Sequence, residues 1–158
     1  MSFLEWWERL LFGQPKVVME VTPPPSGTGE VVHRGMASSF ADPADLIAYK
    51  HCKATGRSEE ECLAVGDNCI GVWDDPTGQG TGLSCALIPE DIRERWGTLR
   101  NGKHRLVRVS ANGKTIVCVL KDILGHHKGV VIDLNPDACA ALGKSPVNFM
   151  KPCSWSWA

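Results

Sequence analysis

Asp122 and Asp133 each end an apolar run, KTIVCVLKD and VVID, within the segment Lys114 to Gly143. A strand that releases a carboxylate at its tip holds it against apolar surroundings. Burial there penalises the ionised form and lets the group carry its proton towards neutral pH. Such a group can act as a general acid, with a second carboxylate as its partner. Between the two runs lies the turn ILGHHKG, where His126 and His127 sit beside Lys128. Their imidazoles could relay a proton, contact a ligand or bind a metal, although adjacent side chains point apart and joint chelation is awkward. Each carboxylate also has a plain structural reading, since an aspartate at a strand end often caps the next turn. For Asp42, followed by Pro43, the helix N-cap reading comes first.

Other groups say less. The seven cysteines contain no C-x-x-C pair, which argues against a zinc knuckle. Disulfides are possible outside a reducing compartment, the odd count leaves one thiol over, and the pairing is not readable. Asp67, Asn68, Asp74 and Asp75 offer oxygen ligands but lack the spacing of a calcium loop. No metal and no cofactor is expected. There is no P-loop and no G-x-G-x-x-G, so nothing points to nucleotide binding.

The elements that must hold these groups follow from periodicity and caps. Phe3, Leu4, Trp7, Leu10 and Leu11 recur at helical spacing over residues 1–13, with Gly13 as a stop. This amphipathic segment carries Glu5, Glu8 and Arg9 on its polar face, so it is expected to dock on protein, its own domain or a larger assembly, in preference to lipid. Residues 14–30 hold Pro23-Pro24-Pro25 and read as a tether. The compact domain is expected over 31–158. It opens with a strand in VVHRGMASSF, then a helix from Pro43 and a second from Ser58, whose Glu61 completes a capping box. A glycine-rich loop around Trp73 follows, then a short helix, PEDIRERWG. HRLVRVS and KTIVCVLKD flank Ala111-Asn112-Gly113, and Asn-Gly between alternating runs predicts an antiparallel hairpin. VVIDLN, the helix PDACAALG and a last strand in VNFMKPCSWSW complete the domain.

Composition sets outer bounds. The 158 residues, 43% hydrophobic and 22% charged, suit one globular domain with an appendage. Seventeen basic and eighteen acidic side chains give a net charge of −1, so no overall field favours nucleic acid or an acidic membrane. No run approaches transmembrane length, and the N-terminus lacks the basic region and cleavage site of a signal peptide.

Three pieces of the chain, read in order, resemble one family. Gly35-Met36-Ala37-Ser38-Ser39-Phe40 is similar to the opening G-x-A-S/T-x-Y/F strand of double-psi β-barrels of the rare lipoprotein A, expansin and expansin-related endoglucanase type. Asn112-Gly113-Lys114 through Asp122 resembles their N-G-K/R strand that closes on an aspartate. Gly129 to Asn135, followed by Ala138, Ala140, Ala141, Leu142 and Gly143, is similar to their G-x-x-I/F-D-L-S…A…L-G segment. The resemblance implies a mainly β fold: a six-stranded double-psi β-barrel with an inserted helical hairpin, residues 42–97, and an N-terminal amphipathic helix on a Pro-rich tether. The insertion stands where bacterial relatives have a histidine-containing F-H-G-x-x-T-A turn.

The resemblance further implies work on cell-wall polysaccharide. Asp133 matches the acid of hydrolytic members, Asp122 the aspartate closing the preceding strand, and Asp42 a second aspartate after the first strand. Ser39, Trp73, His126 and His127 are the expected sugar contacts. Trp96, Trp155 and Trp157 could also stack on pyranose faces or be buried in the barrel. The expected activity is cleavage of peptidoglycan glycan strands, by lytic transglycosylation or hydrolysis. The alternative is a non-catalytic module that binds glycan or protein and is docked by Phe3, Leu4, Trp7, Leu10 and Leu11 in a phage tail or secretion particle. Without an export signal, the protein is expected to act outside the cytoplasm as a particle-borne or secreted component.

Overall fold

A computed structural model describes residues 30–143, 145 and 149–158. The expected N-terminal helix, its docking residues and most of the tether lie outside the described residues. The elements run β1 (His33–Ser39), α1 (Pro43–Ala54), α2 (Glu59–Leu63), β2 (Ser84–Leu87), α3 (Pro89–Trp96), α4 (Leu99–Gly102), β3 (Leu106–Ala111), β4 (Lys114–Ile123), β5 (Val130–Leu134), α5 (Pro136–Ala141) and β6 (Lys151–Trp157). The six strands close into a barrel in the order β1-β5-β2-β4-β3-β6, with β6 pairing back to β1. Two pairs, β1·β5 and β2·β4, are parallel and the others antiparallel. This is the double-psi β-barrel that the resemblance implies, mainly β with a few helices.

Local chemistry explains the element ends. Asn112 and Gly113 both take positive φ, 54° and 72°, as a two-residue turn matched to strand twist requires, and Ala111 pairs with Lys114 across it. Asp42 caps α1 by accepting from the Ala44 amide at 2.8 Å, and Ser58 and Glu61 form the reciprocal capping box of α2. Asn135, wholly buried, caps α5 through the Ala138 amide.

Inside the barrel, alternate strand residues meet in one core that includes Leu87, Val107, Leu120, Ile132, Leu134 and Trp155. Burying one such aliphatic side chain stabilises the fold by roughly 1.5–3 kcal/mol. The Trp155 indole donates to the Val131 carbonyl at 3.1 Å, so its one polar atom is satisfied. Cys85, Cys118, Cys139 and Cys153 are buried in this core as free thiols. Cys52 and Cys62 form a disulfide that joins α1 to α2.

The insertion is shorter than the sequence predicts. Ser84–Leu87, within the expected span 42–97, is a strand of the barrel, paired with β4 on one side and β5 on the other. Four residues carry too little periodicity to announce a strand, and β2 is buried along its whole length. Residues 42–82 are therefore the insertion proper, and α3 and α4 belong to a second crossover between β2 and β3. Among the described residues no helix is long and apolar enough to cross a membrane.

Candidate functional site

The register of four adjacent strands builds the site. Ala86 of β2 is paired with Asp133 of β5 on one side and with Asp122 of β4 on the other, and Ser38 of β1 is paired with Asp133. Ser38, Asp133, Ala86 and Asp122 thus form one row across the barrel wall. The two aspartate backbones are two strand spacings apart, about 10 Å.

Two irregularities turn the row outward. The pairing of β2 with β4 slips between Cys85 and Ala86, so that Leu120 and Ile123, three residues apart, both pack on the core. Asp122, which strict alternation would send inward with Cys118 and Leu120, is turned to the outer face. The pairing of β1 with β5 slips between Met36 and Ala37, and Val131 and Ile132 both pack inward. Asp133 emerges on the outer face as a result. Bulges re-aim side chains in this way beside sites of chemistry.

The floor of the row is apolar. Ala86, Leu124 and Val130 are buried against one another, with Met36, Phe40 and Ile88 packed around them. This low-dielectric surface disfavours carboxylate charge. Burial, with a smaller push from the charge of Asp122, raises the Asp133 carboxyl to about 7. Ser38 Oγ donates to Asp133 Oδ1. Asp122 is also raised, first by burial and to a lesser degree by the charge of Asp67. Two backbone amides oppose that rise by donating to Asp122 Oδ1, Ile123 at 2.8 Å and Val72 at 3.0 Å.

The glycine-rich loop over 67–82 is strapped to the barrel by side chains. Asn135 donates to the Thr77 and Gly82 carbonyls at 3.0 and 2.8 Å while accepting from the Ser84 amide. Asp137 accepts from the Gly80 and Gly82 amides, and the Lys121 ammonium donates to the Pro76 and Thr81 carbonyls.

Asp122 and Asp133 stand on one row, with Ser38 beside Asp133. Asp42 is committed to its helix cap. Ser39 is in register with Leu134 and so stands on the other side of the wall from Ser38. The sequence singles out Ser39, and it is Ser38 that reaches the acid. Strand alternation counted back from Asp133 is the signal that finds it, and it becomes usable only once β1 is known to pair with β5. Trp73 is half-buried against the barrel core. His126 and His127 are exposed in the β4–β5 turn, and His126 faces Glu90 at 3.1 Å. The other tryptophans among the described residues cluster elsewhere: Trp155 stacks on His33 at 3.9 Å and meets Trp157 edge-on, and Trp157 meets Trp96. Among the described residues no group of three or more histidine, cysteine or acidic side chains could hold a metal ion.

No protein-family model matches the chain, and no curated protein matches it in sequence. Among solved structures it is similar to the apo form of an expansin from Clavibacter michiganensis, at 14% identity over 81% of this chain and 50% of that one, with a TM-score of 0.50. A mutant of the Clavibacter michiganensis expansin in complex with cellohexaose matches at 15% identity over the same shares, with a TM-score of 0.49. The Streptomyces papain inhibitor matches at 17% identity over 81% of this chain and 94% of that one, with a TM-score of 0.48. The chain spans about half the length of the expansin chains. At such identities the likeness is one of fold, and the fold is an expansin-like double-psi barrel.

Proposed function

We propose that this barrel acts on cell-wall polysaccharide and cleaves glycosidic bonds of the peptidoglycan strand, with Asp133 as the general acid. The observation that carries this reading is the row itself. A carboxyl raised to about 7 stands on the outer face of the barrel, opposite a second carboxylate held by two amides. Breaking a glycosidic bond requires a proton on the departing oxygen, and Asp133 retains one close to neutral pH. Backbones about 10 Å apart leave room for the separation of roughly 6.5–9.5 Å at which two carboxyl groups invert a sugar centre through an activated water. Asp122 takes the partner role, towards a water in hydrolysis or towards the sugar's own hydroxyl in transglycosylation. His126 and His127, in the turn joining the two aspartate strands, are proposed sugar contacts, with Ser38 replacing Ser39. Asp42 stays a structural cap.

The disulfide between Cys52 and Cys62 supports action outside a reducing compartment, where such bonds persist. Release of soluble fragments from purified peptidoglycan tests the reading. Wild type is expected to release them, and Asp133→Asn to lose at least a hundredfold, the contribution of a general acid. Equal release by the two proteins would remove Asp133 as the acid. Equal and near-zero release with retained glycan binding would move the assignment to the non-catalytic binding module.

A further inference from the structure

We propose that the insertion is a working part of the site: it delivers the Val72 amide to Asp122 and so decides which of the two aspartates carries the proton. This rests on the reading of Asp133 as acid and Asp122 as carboxylate.

The insertion is built to hold that amide in place. Asp67 is its junction. Its Oδ2 accepts from the Ala41 amide just beyond β1, its Oδ1 from the Cys69 amide, and its own amide donates to the Asp45 carbonyl of α1. Four residues later Gly71 lies flat on β4. A Cβ at that position would collide with the Lys121 carbonyl oxygen, so only glycine allows so close an approach. Gly71 also opens a tight turn, in which the Asp74 amide donates back to its carbonyl at 2.9 Å. Val72 is the next residue, with its side chain exposed and its amide on Asp122.

The charges around Asp122 make this amide consequential. Asp67 of the insertion faces it as a negative group, the charge of Asp122 in turn acts on Asp133 of β5, and the nearby Lys121 ammonium is occupied by the loop carbonyls. Two equivalent aspartates on one apolar floor would share a proton without a fixed owner. An amide aimed at one of them favours its ionised form, and the proton is left to the other. On this account Val72 is a positioning residue, acting through Asp122.

Val72→Pro tests the proposal: its ring takes the place of the amide hydrogen, so the Asp122 carboxyl loses that bond and turns aside. It deletes the N–H donor, and Val72 occupies the second position of its turn, where proline is favoured. Carboxyl NMR titration of the full chain is expected to show Asp122 moving up by about one pH unit. Asp133 moves down, because a neutral Asp122 no longer repels its charge. Opposite movement of the two groups supports the proposal; unchanged titration, or movement of both in one direction, overturns it. A wild-type measurement covers a variant that fails to fold. The Val72 amide proton is expected to shift with the Asp122 midpoint, and a Val72 amide insensitive to that ionisation overturns the proposal. The titration reads proton ownership whether or not glycan is cut. Absent cleavage with opposite movement would remove the glycosidase reading and leave the role of the amide standing.

Discussion

The barrel and its insertion are stabilised by different means. The barrel closes its hydrogen-bond ladder on itself, leaves no open edge and fills its interior with buried aliphatic side chains and Trp155. The insertion leaves Ile47, Leu63, Val65, Ile70 and Val72 exposed. Caps, a disulfide and side chain to backbone bonds from Asp67, Asn135 and Asp137 hold it instead. Where apolar burial is thin, directional polar bonds fix the chain, and they fix it at particular atoms. On the proposed reading the chemistry lies at the seam: the barrel contributes two carboxyl groups on an apolar floor and the Ile123 amide, and the insertion adds the Val72 amide, which further favours the ionised form of Asp122.

The largest effect that would sharpen this contrast is Trp155→Ala. It removes a fully buried ring from the core and should cost about 3–5 kcal/mol in chemical denaturation, with one cooperative transition. A loss below about 1 kcal/mol would mean that the barrel does not rest on this core. Next is removal of the disulfide with Cys52→Ser and Cys62→Ser together. The bond closes a short loop and contributes about 2–3 kcal/mol, but to the insertion. Hydrogen exchange should quicken over 43–66 and stay slow in β3, β4 and β6. Equal loosening of both regions would break the contrast.

Asp133→Asn has a smaller effect on stability and the opposite sign. The Asp133 carboxyl is raised in the native state, to about 7 from an ordinary 3.8, so the folded protein binds this proton more tightly than the unfolded chain does. The unfolded chain gives up the proton near pH 4 and the folded protein near pH 7, so stability falls as pH rises through that window. Asparagine abolishes the loss. The variant should match wild type near pH 4 and exceed it above pH 7 by about 2 kcal/mol, half of the full shift once partial exposure is allowed for. Thermal melts across pH 4–8 check this, and a variant less stable than wild type at pH 8 would contradict a buried, protonated Asp133.

Much of this was legible in local sequence. Asn112-Gly113 announces the β3–β4 turn, Pro43, Ser58 and Pro136 announce helix starts, and Asp122 and Asp133 stand where apolar runs end. The seam was not. β2 is too short to show a period, and its two partners lie far away in the chain. The slips at β4 and β5 have no local mark, yet they decide that the carboxyl groups face outward. The Val72 amide is a backbone group, which side-chain motifs cannot single out. Cys52 and Cys62 are one of many possible pairings among seven thiols.

The central claim is that Asp133 acts as the proton donor for glycan cleavage. The most direct measurement is the pH dependence of soluble fragment release from purified peptidoglycan by the wild-type chain, across pH 4–9. Release should fall on the alkaline side with an apparent midpoint of about 7, the value at which Asp133 loses its proton. Release that climbs through pH 7, or holds level to pH 9, would contradict the account.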